Sequence, residues 1–386
     1  MNFSALDRYL DTFYAEKNVP GLGCQVSVDG EIVHTHLAGF ANVEERKPFT
    51  EDTLFNLYSA TKVSTVVSGM CLVQKGLLQL DAPAGDYLPA LSRVTVRDPD
   101  GTVHPSRSPI LVRHLFSMSA GFTYESDVPS IRALRERTGN TASTREVIEA
   151  LAEEPLAFEP GTHFRYSFCH DVLAAVMEAA AGKPFPDILR EELFDPLGMR
   201  DTVFAVNEEQ RTRLAPEYHG FDGKTGKARE VIFKEGLDMG MGPNYFSGGG
   251  GLMSTVHDYG ALSAMLGNGG KTKDGTVILT EDSIRAMQEN QQTEKGLADF
   301  GEMGGWSKAG YGYGLGVRTL MDRERAGSLS QQGEFGWDGM LGCYVLADPA
   351  SHVGIFYAQQ ENGTPWYHWH GMIRQYAYAA ILGAEK

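Results

Sequence analysis

Runs with the composition and alternation of β-strands occupy both ends of this chain and are missing from its middle. Cys24–Val28 and Ile32–Leu37 are joined by Asp29-Gly30, and Asp-Gly between two such runs predicts a hairpin. Toward the other end lie Gly312–Thr319, Leu341–Ala347 and His352–Gln359, with a turn at Asp348-Pro349. From about Leu80 to Pro243 the pattern is helix-rich, punctuated by Pro and Gly and by long polar loops. Strands at both termini with helices between predict an α+β chain built on one sheet, not alternating βαβ units. Phe3, Leu6, Leu10 and Phe13 recur at helical spacing, and an apolar, aromatic helix is expected from Trp366 to Leu382. A chain of 386 residues allows two or so domains. Residues 1–79 and 244–386 are expected to form a discontinuous α/β sandwich, and residues 80–243 an inserted helical domain, with an active site in the cleft between them.

The net charge of −16 and pI near 5.1 argue against nucleic acid or an anionic membrane surface as a partner. No apolar run approaches the length of a membrane helix, and the first residues lack the basic and apolar blocks of a secretory signal. Cys24, Cys71, Cys169 and Cys343 are scattered, with no C-x-x-C. They read as reduced core thiols, which places the expected location in the cytoplasm. The expected partner is a small molecule, with no cofactor and no metal, for a monomer or small homo-oligomer.

Ser59-Ala60-Thr61-Lys62 is the only Ser-x-x-Lys in the chain. A helix from Ser59 to Gln74, stopped by Gly76, turns Val63, Val66, Val67, Met70 and Val73 inward and sets Ser59 and Lys62 on a shared face. A desolvated amine tends to lose its proton and is then able to take one from a serine attacking a carbonyl.

Four further blocks bear on that pair. In Glu159–Phe168 a Pro-Gly turn and a short extended piece lead to Tyr166, whose phenol beside an ammonium would become a competent base. Ser247–Thr255 is glycine-rich, allowing close backbone approach or positive φ, and Thr255-x-x-Asp258 resembles a capping box. Gly333–Gly342 is expected to supply a strand opposite Ser59, with backbone N–H groups for an oxyanion. Leu111–Phe122 reads as a short helix ending at a small-residue turn.

Taken in this order and spacing, the blocks resemble the serine β-lactamase and penicillin-binding-protein superfamily, over nearly the whole chain. The class C β-lactamase-like branch, with its D-Ala-D-Ala carboxypeptidases and esterases, is the most similar. The stretch from Glu159 to Thr202, Gly248–Thr255 and Leu111–Gly121 carry the resemblance most specifically. It implies a β-lactamase/transpeptidase-like fold, a central antiparallel sheet flanked by N- and C-terminal helices. It also implies Ser59 as nucleophile, Lys62 as its proton partner, Tyr166 as base and relay, and an oxyanion hole at the backbone N–H groups of Ser59 and Met340. Whether Lys62 or Tyr166 takes the first proton stays open, since the two titrate as a coupled pair.

Two departures point to the substrate. The family's Tyr-x-Asn is here Tyr166-Ser167-Phe168, without the amide that would hold a substrate amide. Its Lys-Thr-Gly or His-Thr-Gly is here Trp337-Asp338-Gly339. A ring replaces the cation, and Asp338 adds a charge opposed to an anionic substrate. A Trp-x-Gly triplet is similar to family VIII carboxylesterases and to acyltransferases that load small acyl groups onto polyketides. The expected chemistry is therefore ester cleavage or acyl transfer on neutral, rather apolar acyl groups. Phe122, Tyr124, Tyr245, Phe246, Phe168, Trp337, Asp338 and Gly339 are the candidate substrate contacts. A β-lactamase or D-amino-acid peptidase is the alternative, and a non-catalytic scaffold of the same fold the third reading.

Other signals are set aside. There is no Gly-x-Ser-x-Gly elbow. Gly269-Gly270-Lys271-Thr272 lacks the earlier glycine of a P-loop, Met265 standing in its place. His34 and His36 share one face of a predicted strand without other ligands, and His368 and His370 lie among Trp366, Tyr367 and Trp369 in a helix expected to pack on the sheet.

Overall fold

A computed structural model describes residues 1–237, 239–304 and 308–383. Its centre is an eight-stranded antiparallel sheet drawn from both ends of the chain. The spatial order is Tyr311–Tyr313, Arg318–Leu320, Phe335–Asp338, Tyr344–Asp348, Val353–Gln359, Gly21–Val28, Glu31–Asn42 and Lys47–Pro48. The two termini meet where Gly21–Val28 pairs with Val353–Gln359, with Cys24 opposite Tyr357. Asp29 and Gly30 have φ of 52° and 76°, the positive pair that a two-residue hairpin of matching twist requires.

Both faces of the sheet are covered, and the strand period of two sorts its side chains. Leu22, Cys24 and Val26, with Tyr344, Leu346, Ile355 and Tyr357, face the terminal helices Ser4–Asp11 and Tyr367–Leu382. There they meet Phe3, Leu6, Leu10 and Phe13 from one end of the chain and Trp369, Ile373 and Tyr378 from the other. Val345, Ala347, Phe356 and Ala358 belong to the larger core on the opposite face, with helices Thr61–Gln74 and Val256–Gly267. That core continues without a break into the helices of the middle segment, Val112–Phe116, Thr144–Leu151 and Cys169–Ala181.

Several local expectations change. Gly312–Thr319 is not one strand: the chain reverses after Tyr313, where Gly314 N–H donates to Val317 O at 2.8 Å, giving two short paired strands. The Leu341–Ala347 run begins as a strand only at Tyr344, because Gly339–Gly342 forms a turn closed by Gly342 N–H to Gly339 O. The middle is not purely helical. Thr95–Arg97 pairs with Val103–Pro105, and Glu217–His219 lies between Glu230–Ile232 and Glu361–Asn362. Thr255 caps its helix by accepting from Asp258 N–H, but Asp258 turns away to Asp201 N–H and the Thr202 hydroxyl instead of closing a box. His370 packs on Tyr344 at 4.5 Å, whereas His368 is exposed. His34 and His36 face Asp7 and Asp11 of the first helix.

Among the described residues no helix is long and apolar enough to cross a membrane, and no group of three metal-ligating side chains forms. All four cysteines are buried and unpaired. Burial pushes the thiols of Cys24, Cys71 and Cys343 up to about 12 and that of Cys169 to about 11, so little thiolate exists near neutrality. The native protein at pH 8 is expected to leave a disulfide-exchange reagent such as DTNB unreacted over minutes, and to release four equivalents in guanidinium. Prompt reaction of even one thiol in the native state would contradict this packing.

Candidate active site

Helix Thr61–Gln74 carries the site. Its residues Thr61 to Leu72 are all buried, so it is a central helix enclosed on every side. Of the five residues expected inward, Val73 is the one left partly exposed. A single 3-10 turn, Tyr58–Ala60, precedes it. Ser59 stands in that turn, and Lys62 points back along the helix, its Nζ 3.3 Å from Ser59 Oγ.

Three segments converge on Lys62. The glycine-rich loop supplies the Gly249 carbonyl, which accepts from Nζ at 2.5 Å. Close approach is what the glycines permit: a Cβ on Gly249 would lie 2.5 Å from Asp171 Oδ2, and one on Gly248 2.5 Å from His170 O. The turn after Val112–Phe116 brings Tyr124, whose hydroxyl lies 3.3 Å from Nζ. The loop before helix Cys169–Ala181 brings Tyr166, with Nζ 4.6 Å from its ring centre.

The electrostatics reverse the expectation of a neutral amine. Complete burial pushes Lys62 down, but the facing oxygens of Tyr124 and Tyr166, which accept from the amine, together with the Asp171 carboxyl, outweigh it and hold the amine above the ordinary lysine value. Lys62 is an ammonium at neutral pH. Tyr124 is pushed up by burial, only partly opposed by Lys62, and stays a phenol. The formal counter-charge is therefore that of Asp171, fully buried in the first turn of its helix. Its Oδ1 accepts from Tyr245 OH at 2.6 Å, Ser247 Oγ at 2.6 Å and Gly249 N–H at 3.3 Å. Three donors on one oxygen mark a carboxylate.

The opposite wall is the strand Phe335–Asp338. Trp337 stacks on Tyr166 at 5.6 Å and its Nε1–H donates to the Tyr166 hydroxyl at 3.2 Å. Tyr124 stacks on the other side of Tyr166 at 5.7 Å. A Cβ on Gly339 would lie 2.3 Å from Leu57 O, so only glycine lets this wall close on the turn that holds Ser59. Asp338 corrects the sequence reading. Its carboxylate pairs with buried Arg318 at 3.2 Å and faces His370. Burial alone would raise it, but Arg318 and His370 hold it below the ordinary range. A charge neutralised inside the protein does not repel a substrate.

The cleft between these walls has a volume of about 480 Å³. Tyr58, Ser59, Tyr124, Tyr166, Trp337, Asp338, Gly339 and Met340 border it, joined by Leu237, Met239, Met303, Gly304, Trp366 and Tyr367, none of which the sequence had placed in the cleft. Among the described residues no Lys, Arg or His lines it. Met340 sits in the Gly339–Gly342 turn, and its carbonyl accepts from Trp366 Nε1 at 2.8 Å.

Four expected contacts lie elsewhere. Phe122 is core, and Phe168 is buried with its ring 4.7 Å from that of Tyr124, supporting the stack from behind. Tyr245 is drawn to Asp171 by its hydroxyl, and Phe246 packs on Phe204 at 5.3 Å. Both border a neighbouring cavity of about 450 Å³. Aromatic character identified them, but it does not distinguish a cleft wall from the layer behind it. Asp171 was missed although it left a signal, an acid in the first turn of a largely apolar helix.

Known proteins resemble this chain in sequence and in fold. Residues 6–372 match the family described as Beta-lactamase. Protein Rv1367c of Mycobacterium tuberculosis is 30% identical over 339 residues, covering 86% of this chain and 83% of that protein. Esterase EstB of Burkholderia gladioli is 29% identical over 362 residues, covering 91% and 88%. In structure, EstCE1, described as a hydrolase with promiscuous acyltransferase activity, superposes with a TM-score of 0.78. It is 24% identical, over 97% of this chain and 98% of that one.

Proposed function

Because this chain belongs to the Beta-lactamase family, we propose that it is a serine esterase or acyltransferase, similar to family VIII carboxylesterases, working through an acyl-enzyme on Ser59. The observation that carries the reading is an aromatic cleft, with no Lys, Arg or His among its described lining residues, meeting the Ser59–Lys62 pair. Esterase EstB, related over most of both chains, bears a name for the same chemistry.

In this reading Tyr166 works as its phenolate: Ser59 Oγ attacks the acyl carbon, and the Ser59 proton passes to the Tyr166 oxygen, which becomes a phenol. The Lys62 ammonium balances the negative charge that the two oxygens share during transfer. The N–H groups of Ser59 and Met340 are assigned to the carbonyl oxygen as it becomes an oxyanion. Tyr166 then returns the proton to the departing alkoxide, which leaves as an alcohol. Water or a second alcohol enters, gives its proton to Tyr166 and attacks the ester carbon. Collapse releases the acid or new ester, and the proton returns to Ser59.

A fluorophosphonate is expected to label Ser59, and Ser59→Ala to lose both the label and turnover of p-nitrophenyl butyrate. Efficiency on that ester should exceed efficiency on a chromogenic cephalosporin by about 10- to 150-fold, since a carboxylate entering this cleft finds no cationic hydrogen-bond partner. Undiminished ester turnover by folded Ser59→Ala would remove the proposal. A preference for the cephalosporin would move it to the β-lactamase or peptidase alternative.

A further inference from the structure

We infer that Tyr58 is a positioning residue for Ser59: its backbone is held in a left-handed conformation by a buried hydrogen bond to Glu217, and that conformation aims the neighbouring nucleophile. The inference rests on the acyl-enzyme reading above and adds to it two residues, one of them outside the cleft.

Tyr58 has φ of +47°, a region that bulky L residues avoid because Cβ crowds the backbone. Such a conformation persists where surrounding contacts over-determine it, and it concentrates at functional sites. The contacts are present here. Tyr58 OH donates to Glu217 Oε1 at 2.7 Å, and Asn56 Nδ2 donates to the same oxygen at 2.6 Å. Asn56 is itself tied, through Nδ2 to Lys234 O and through Oδ1 to Gly236 N–H. Glu217 is 2% exposed and belongs to the small sheet that pairs with Glu361–Asn362. Burial first, and the Glu217 charge second, push the Tyr58 hydroxyl up, so it remains a donor.

The chain is clamped on each side of the strained residue. Leu57 N–H donates to Leu252 O at 3.0 Å, and Ala60 N–H to Leu57 O at 3.1 Å. With both flanks fixed, a rotation of Tyr58 toward negative φ has to be absorbed at Ser59. The Glu217 sheet therefore acts at a distance on the hydroxyl that attacks.

The test compares Tyr58→Ala with Tyr58→Gly. Both lose ring and hydroxyl alike, but only glycine takes φ of +47° without a Cβ clash. Fluorophosphonate labelling is expected to be about 5- to 30-fold faster in the glycine variant than in the alanine variant. Glu217→Ala should lower kcat with KM for p-nitrophenyl butyrate within about twofold, because Glu217 does not border the cleft. Glu217→Gln keeps an acceptor for Tyr58 and should recover most of the rate. Equal labelling of the alanine and glycine variants, or wild-type kcat in Glu217→Ala, overturns the inference. If either Tyr58 variant fails to fold, Tyr58→Phe decides: slow labelling at unchanged KM supports the inference, and wild-type labelling removes it. Absence of labelling in the unsubstituted protein would instead remove the acyl-enzyme reading itself.

Discussion

Lys62→Met is expected to slow acylation of Ser59 by about 10²–10³-fold, the range lost when one group that stabilises developing charge is removed. The methionine keeps the buried length of the side chain and removes its charge. What is lost is the ammonium 3.3 Å from Ser59 Oγ and its hydrogen bond to the Gly249 carbonyl. Lys62→Arg is not expected to rescue it, since a planar fork does not occupy the place of a point-like ammonium in a filled pocket. Single-turnover burst of p-nitrophenol reads the step directly, and circular dichroism reports folding. A pH–rate profile separates two roles for the amine. A neutral lysine base would give an acid limb that disappears in Lys62→Met. An ammonium gives an alkaline limb, lying above the ordinary lysine range near 10.4, because its neighbours raise it. An acid limb lost with Lys62 would refute the ammonium assignment.

The positions of Ser59 and Lys62 could be anticipated because helical spacing is a local property: residues three apart share a face whatever surrounds them. The assembly of the sheet from both termini was legible for a similar reason, since alternation and the Asp29-Gly30 turn act over a few residues. The charge state of Lys62 was not legible. Burial alone predicts a neutral amine, and only the folded chain brings Tyr124, Tyr166 and Asp171 from outside the helix to reverse it. Asp338 failed likewise. A strand residue has two possible faces, and nothing local says that Arg318, across the sheet from Gly336, will claim the carboxylate. The cleft residues Leu237, Met239, Trp366 and Tyr367 come from loop and helix ends whose destination depends on tertiary packing. Tyr58 stood beside the motif and gave no sign, because a positive φ at a tyrosine contradicts its own preference.

Asp171→Ala is expected to cost about 1–3 kcal/mol of stability at pH 7, the loss that follows when buried donors are left without their acceptor. Tyr245 OH, Ser247 Oγ and Gly249 N–H would lose their common acceptor, and the Lys62 ammonium its formal counter-charge. The pH dependence follows from the direction of the shift. Lys62 is raised in the folded state, so its pairing contributes in full below the unfolded lysine value and fades as pH rises through the folded one. At pH 7 the whole contribution is present to be lost. Asp171→Asn separates charge from shape, since its amide oxygen still accepts from Tyr245 and Ser247. It should keep more stability than the alanine variant while moving the alkaline limb of the rate profile downward, burial of Lys62 being less opposed. Urea unfolding at pH 7 and rate profiles of the two variants measure both effects. An alkaline limb unmoved in folded Asp171→Asn would mean that Tyr124 and Tyr166 alone hold the proton on Lys62, leaving Asp171 as an anchor for the glycine loop and nothing more.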